Sequence, residues 1–365
     1  MSTLNDILFD EILQARQRVY AVGAPTPLQE IKLPGVNATV FAKREDLGPI
    51  KAYKWRGAYN CMAKLSAEQR EKGVVAASAG NHGQGVALAA RRLGCKAHIY
   101  MPRSTPEVKQ NAVRMHGGDN VEIVLTGDSY DAASAAAHEF ADANGLTFVH
   151  PYDHPFTMGG QGTLADEVVM SGHGPFDRVY LQIGGGGLAA ACACWFKKFW
   201  PECKCIGVEG VNQASMKLAV ESGERRTLPY VDVFCDGTAV RTAGELTFEL
   251  CRELLDGFVT VTNEGVCKAI RSLWNSIRVI TEPSGSMGMA ALLQDCNISP
   301  GEKCLVVLSG ANMDFAQMGL VATRAGVHET NRQERFLQIP METKRGQVLK
   351  YLESIPEGVQ LTDVQ

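Results

Sequence analysis

Lys54 lies in the stretch Lys51-Ala52-Tyr53-Lys54-Trp55-Arg56-Gly57-Ala58, with an aromatic side chain on each side of its ammonium. Such an apolar setting disfavours the charged form, lowers the pKa and makes a lysine a usable amine nucleophile and base. The competing reading is a solvated charge on an exposed helix turn. Three more segments follow in the chain: Ser78-Ala79-Gly80-Asn81-His82, Gly184-Gly185-Gly186-Gly187 and Ser309-Gly310-Ala311-Asn312. A lysine amine, an asparagine loop, a glycine loop and a late serine form a set able to hold an aldehyde cofactor with a phosphate tail.

Gly184, Gly185, Gly186 and Gly187 follow the apolar run VYLQI and open the helical pattern LAAACACWFKKF. A helix N-terminus with free backbone N–H groups is an anion site by geometry and by dipole. Gly184-x-Gly186-x-x-Ala189 also fits a dinucleotide fingerprint, and Glu209 ends the next strand near the position of a ribose-binding acid. A nicotinamide oxidoreductase therefore stays open at this point, although hydride transfer has no need of Lys54. Ser78, Gly80 and Asn81 stand at a strand end leading into a helix, where ligands bind in open α/β sheets. Both this segment and Ser309–Asn312 also read as plain helix caps. A serine hydroxyl facing a pyridine nitrogen would hydrogen-bond it without fully protonating it, which suits elimination better than transamination.

Strand and helix patterns alternate on both sides of these segments. Strands are expected at 74–78, 97–101, 121–125 and 147–150, with helices at 55–65, 82–93, 106–116 and 129–144 between and before them. A second alternation places strands at 179–183, 204–209 and 303–309, with helices at 160–171, 188–199, 213–222, 244–255, 263–276, 284–295 and 314–325. A helix at 6–20 and a short strand pair around 38–43 precede them. This is an α/β chain with parallel sheets, read as two units sharing a cleft. The stretch 334–365 carries one strand (RFLQI) and one helix, too little to bury a core alone.

At 365 residues, 45% of them hydrophobic, the chain can bury sizeable cores. A net charge of −4 advertises no nucleic acid, and no uncharged apolar run of about 18 residues points to a membrane span. Eleven irregularly spaced cysteines read as reduced thiols of a cytoplasmic protein. Cys192 and Cys194 fall two apart on a helix, where side chains do not share a face, and Cys203 and Cys205 lack partners, so no zinc clamp is expected.

With these residues assembled, the chain resembles the tryptophan-synthase-β-like, fold type II family of pyridoxal-phosphate enzymes, and within it the threonine dehydratases. The segments that carry the resemblance are PTPL at 25–28, KRED at 43–46, AYKWRGAY at 52–59, SAGNHGQGVA at 78–87 and MP at 101–102. GQGTLADE at 160–167, GGGGL at 184–188, CDGTAV at 235–240, EPSG at 282–285 and SGANMD at 309–314 continue it in the same order. The resemblance implies pyridoxal 5'-phosphate as cofactor, with Lys54 as the Schiff-base lysine and Tyr53 as an aromatic plane beside it. It places Asn81 near the ring hydroxyl, Gly184–Gly187 on the phosphate, Ser309 at the ring nitrogen and Glu282 beside the ring. Ser78, Ala79, Gly80, Asn81 and His82 would take the substrate carboxylate.

The resemblance further implies two open twisted-sheet domains with the cofactor cleft between them: residues 1–57 and 159–330 as the larger, 58–158 as a small insertion. It implies a partial regulatory ACT-like tail at 331–365, without a complete effector pocket. Ala79 stands where similar serine racemases carry a second serine as opposite-face base, which argues against racemisation. Those racemases pair an acid matching Glu209 with an aspartate six residues on; here Ser215 stands there, and no metal site is expected. The expected activity is an ammonia-lyase converting L-threonine to 2-oxobutanoate, and L-serine to pyruvate, in a homodimer or homotetramer. A serine-preferring dehydratase and a threonine-synthase-like or other β-replacement enzyme remain alternatives.

Overall fold

The computed structural model describes residues 3–326. The strand–helix reading of the tail lies outside them. Among these residues ten strands form two sheets. Strands β1 (Leu28–Ile31), β2 (Thr39–Arg44), β3 (Val74–Ala77), β4 (Ala97–Met101) and β5 (Val121–Leu125) come first. They are followed by β6 (Thr147–Phe148), β7 (Arg178–Gln182), β8 (Lys204–Gly210), β9 (Gly257–Val261) and β10 (Lys303–Leu308). The larger sheet has the order β1-β2-β10-β7-β8-β9 and the smaller β5-β4-β3-β6. Every pairing is parallel except β1 with β2, where Leu28 stands opposite Lys43.

Parallel strands need covered faces, and both sheets have them. Helices Leu4–Tyr20, Pro155–Met170 and Gly187–Phe199 pack a core on one face of the larger sheet. Helices Asn263–Ile277 and Met287–Gln294 cover the other. Helices Trp55–Ala63, Asn81–Leu93 and Glu107–Gly117 cover one face of the smaller sheet, and Tyr130–Asn144 the opposite one. The carboxyl ends of β3, β7 and β10 lead into the Ser78, Gly184 and Ser309 segments, so all three chemical loops leave their sheets at the end where ligands bind.

Four elements differ from the sequence reading. Strand β9 was expected as a helix-to-helix connection; its residues Gly257–Thr260 are only half-buried, an edge strand recruited by pairing along β8. The short strand pair expected around 38–43 is the single strand β2, whose antiparallel partner β1 lies earlier, at Leu28–Ile31. A short helix, Ala67–Lys72, is closed at its start by a reciprocal Ser66–Gln69 capping box. The helix expected from 160 begins at Pro155, because His154 caps it and proline is pre-shaped for a first helical position.

Candidate active site

Lys54 is the N-cap residue of helix Trp55–Ala63. The turn before it is held in a sparsely populated conformation: Lys51 has φ of 57°, unusual for a residue with a side chain. The Ser309 segment over-determines that turn. Tyr53 N–H donates to the Ser309 carbonyl at 3.0 Å, Ala311 N–H to the Lys51 carbonyl at 2.8 Å, and Ala52 bridges Gly310. Two segments over 250 positions apart thus form one rigid floor.

Asn81 and Glu282 join the same floor. The Asn81 amide donates to Glu282 Oε1 at 2.7 Å, while its oxygen accepts from the Asn312 amide at 2.7 Å. Asn312 also donates to the Ile50 carbonyl at 2.8 Å, and Glu282 N–H to the Gly310 carbonyl at 3.1 Å. Among the described residues the Ser309 hydroxyl makes no hydrogen bond, although the side chain is buried. Lys54 is half-buried, and its Nζ donates to the Pro151 carbonyl at 3.0 Å. Burial lowers its pKa to about 8, partly offset by Glu282. Burial, with Asp236 adding, raises the Glu282 carboxyl to about 7. A lysine and an acid both drawn toward neutrality beside each other are what proton transfer requires.

The glycine loop is crowded on every side. A Cβ at Gly184 would stand 3.0 Å from Thr238, one at Gly187 3.0 Å from Tyr152, and one at Gly185 would fall on the Tyr152 ring. Gly186, at φ of 101°, caps helix Gly187–Phe199. The Gly185 carbonyl is turned to Thr247, whose hydroxyl donates to it at 2.5 Å. Among the described residues the N–H groups of Gly184, Gly185 and Gly186 have no hydrogen-bond acceptor.

Ser78, Ala79 and Gly80 are half-buried and lead into helix Asn81–Leu93. Gly80 N–H donates to the Ser78 hydroxyl at 3.2 Å, leaving the first-turn N–H groups of the helix for a ligand. The His82 side chain anchors the start of that helix. Its buried ring meets the Val149 carbonyl at 2.8 Å through Nε2, so Nε2 carries the proton and Nδ1 is an acceptor with no partner among the described residues. Burial, with Lys54 next, pushes its pKa down to about 3 and keeps it neutral. Tyr53 is half-buried beside Lys54, its ring centroid 5.5 Å from Nζ.

One segment of the site escaped the sequence reading: His150-Pro151-Tyr152-Asp153. Pro151 meets Lys54, Tyr152 walls the glycine loop, and Asp153 accepts from Glu245 N–H at 2.8 Å and Thr247 N–H at 3.1 Å. The Asp153 carboxylate thereby caps helix Glu245–Leu254. Asn312 is a second omission, though SGAN itself was visible. Glu209 does not reach toward the cleft; its carboxylate accepts from Met216 and Lys217 N–H at 2.9 and 2.8 Å, capping the next helix. No group of three or more His, Cys, Asp or Glu suited to a metal occurs among the described residues. All eleven cysteines are free and only Cys296 is exposed. No described helix is long and apolar enough to cross a membrane.

The chain matches the family model described as pyridoxal-phosphate dependent enzyme over residues 19–310. It is 43% identical over 344 residues to the biosynthetic L-threonine dehydratase IlvA of Haemophilus influenzae, covering 93% of this chain and 66% of that relative. The chain therefore spans just under two thirds of the length of that relative. Among solved structures, the processed form of threonine deaminase isoform 2 from Solanum lycopersicum superposes with a TM-score of 0.82 at 41% identity, covering 88% of this chain and 94% of that one. A maize serine racemase gives 0.79 at 28% identity, covering 87% and 98%.

The residues present fit such a cofactor. The glycine loop offers three N–H groups without acceptors among the described residues, and Tyr152 and Thr238 press so close that it is lined by backbone alone, which is what a phosphate needs. The Ser309 hydroxyl is free to meet a ring nitrogen, and Lys54 is the amine on the shared floor.

Proposed function

Because this chain belongs to the family of pyridoxal-phosphate-dependent enzymes, we propose that it is an ammonia-lyase that converts L-threonine to 2-oxobutanoate and ammonia, and L-serine to pyruvate. The observation that carries this reading is the docking of the Lys54 turn on the Ser309 turn, with Asn81 and Glu282 tied to the same floor. What pyridoxal 5'-phosphate supplies when bound is an aldehyde that condenses with amines and a ring that disperses negative charge from the substrate α-carbon.

The protein's residues do the rest. Gly184–Gly187 bind the phosphate through backbone N–H groups. Ser309 holds the ring nitrogen with a neutral hydroxyl, which restrains the ring's electron demand and favours loss of the β-hydroxyl over transfer of the amine. The turn of Ser78, Ala79, Gly80, Asn81 and His82 binds the substrate carboxylate through its backbone N–H groups, and the His82 ring fixes that turn to Val149. Lys54, its pKa already lowered, accepts the α-proton. Across the whole reaction the α-proton and the β-hydroxyl leave as water, and hydrolysis of the dehydrated product releases ammonia and the keto acid.

The same proposal divides the chain into a larger domain of residues 1–57 and 159–330 and an insertion at 58–158; the placement of β3 to β6 in a separate sheet supports it. A cytoplasmic homodimer or homotetramer is the assembly proposed, in keeping with cysteines that are all free. Keto-acid formation across a panel of β-hydroxy amino acids tests the activity. Turnover of threonine with serine second supports it. Turnover of serine alone would make it a serine dehydratase, and a requirement for a second nucleophilic substrate would make it a β-replacement enzyme.

A further inference from the structure

Four segments of the sequence, at 25–28, 43–46, 52–59 and 160–167, hold no residue in the cleft apart from Tyr53 and Lys54, yet they meet in one place. Arg56, two residues past Lys54, is fully buried and uses all five of its N–H donors. Two go to Glu45 at 2.9 Å each, two to Glu167 at 2.5 and 2.9 Å, and one to the Thr163 hydroxyl at 3.1 Å. Lys43 completes the set, donating to Glu167 at 2.5 Å and to the Thr26 carbonyl at 2.5 Å. Thr26 returns its N–H to Glu167 at 3.0 Å and its hydroxyl to Glu45 at 2.5 Å. Two cations face two carboxylates, all nearly without solvent contact, and the cluster closes on itself with no net charge.

We propose that this buried cage, centred on Arg56, is the positioning device for Lys54. The claim rests on the reading of Lys54 as the reactive amine. Burying four charges wins little stability over apolar side chains of the same volume, because desolvation offsets most of the attraction. What a closed set of forked hydrogen bonds does give is a single geometry. Lys54 needs that from outside, since among the described residues its own Nζ makes one hydrogen bond, to the Pro151 carbonyl. Arg56 is bonded through its backbone to Tyr53, N–H to carbonyl at 3.1 Å, so the cage grips the turn itself. A Cβ at Gly160 would strike the Arg56 backbone, so helix Pro155–Met170 presses directly on the turn from behind.

The test uses the holoenzyme of two variants. Arg56→Lys keeps the charge and loses the fork; Glu45→Leu with Arg56→Leu removes one ion pair while leaving Lys43 and Glu167 matched. Each is expected to lower kcat for threonine roughly 10–100-fold with KM little changed, because misplacing a reacting group is a transition-state loss. Each should also speed amide hydrogen exchange at residues 51–58 and move the pH dependence of the holoenzyme's visible absorption. The double variant should melt no lower than Arg56→Lys, which separates aim from stability. Wild-type exchange and wild-type kcat in either folded, cofactor-loaded variant would overturn the proposal. So would rapid exchange of amides 53–57 in the unaltered protein, a measurement that needs no variant to fold. If the wild type proved inactive on threonine, the exchange and absorption readouts would still decide the cage.

Discussion

The turn after β7 and the turn after β3 share a local design, a strand running into a helix through small residues, and differ in crowding. At the glycine loop a Cβ added at Gly184, Gly185, Gly186 or Gly187 meets a neighbour at 3.0 Å or closer. At Gly80, in the asparagine loop, a Cβ meets nothing within 4 Å. One turn is packed so tightly that only backbone fits, which suits a permanent tenant with a phosphate. The other stands open beside the cleft, which suits a ligand that must arrive and leave. The same element thus serves two purposes, and the surrounding side chains decide which.

The heaviest loss comes from removing the amine that both turns serve. Lys54→Ala should lower turnover by about 10²–10⁴-fold from loss of the base alone, and further from loss of the covalent anchor. Steady-state kinetics on cofactor-loaded protein checks it, with the visible absorption band as a second readout. Next in size is the crowded turn. Gly185→Ala must displace the Tyr152 ring, an overpacking that typically costs about 1–3 kcal/mol and should weaken cofactor affinity roughly 10–100-fold. Titration of cofactor-free protein by fluorescence measures it.

A subtler effect comes from Lys54 before the cofactor arrives. Its pKa in the folded protein is about 8, against 10.5 for an ordinary lysine. Below about 8 both folded and unfolded chains carry the proton, and the folded state bears the full cost of burying it. Between the two values the unfolded chain binds more protons, so stability rises with pH there. Lys54→Met should therefore stabilise the cofactor-free protein near neutral pH by about 1–3 kcal/mol, an advantage that fades toward the ordinary lysine value. Parallel denaturant titrations across that window provide the measurement. The smallest effect belongs to the open turn: Gly80→Ala should change stability by no more than about 0.5 kcal/mol and leave cofactor affinity unaltered. A loss as large as that of Gly185→Ala would erase the distinction between the turns.

How much of this the sequence disclosed follows from what each feature depends on. Apolar runs such as VVAA and CLVVL are buried throughout, so β3 and β10 were plain, and so were the loops they deliver. GFVTV is half-buried and owes its strand to the neighbouring edge of β8, a long-range pairing that no local pattern carries. Lys54 announced itself through its aromatic neighbours. Pro151 did not, because its part is played by a backbone carbonyl that every residue possesses. The cage around Arg56 was spread over Thr26 to Glu167, visible as four separate motifs and as one object only after folding. The Val149 carbonyl that fixes the His82 tautomer follows β6, far along the chain, and could not be read locally.

All of these roles depend on Lys54, and no other amine, meeting the cofactor's aldehyde. Borohydride reduction of the holoenzyme followed by peptide mapping tests it most directly. A pyridoxyl group should appear on the peptide containing Lys54, at close to one per chain. A pyridoxyl group on any other lysine, or none on a protein that retains full turnover, would contradict it.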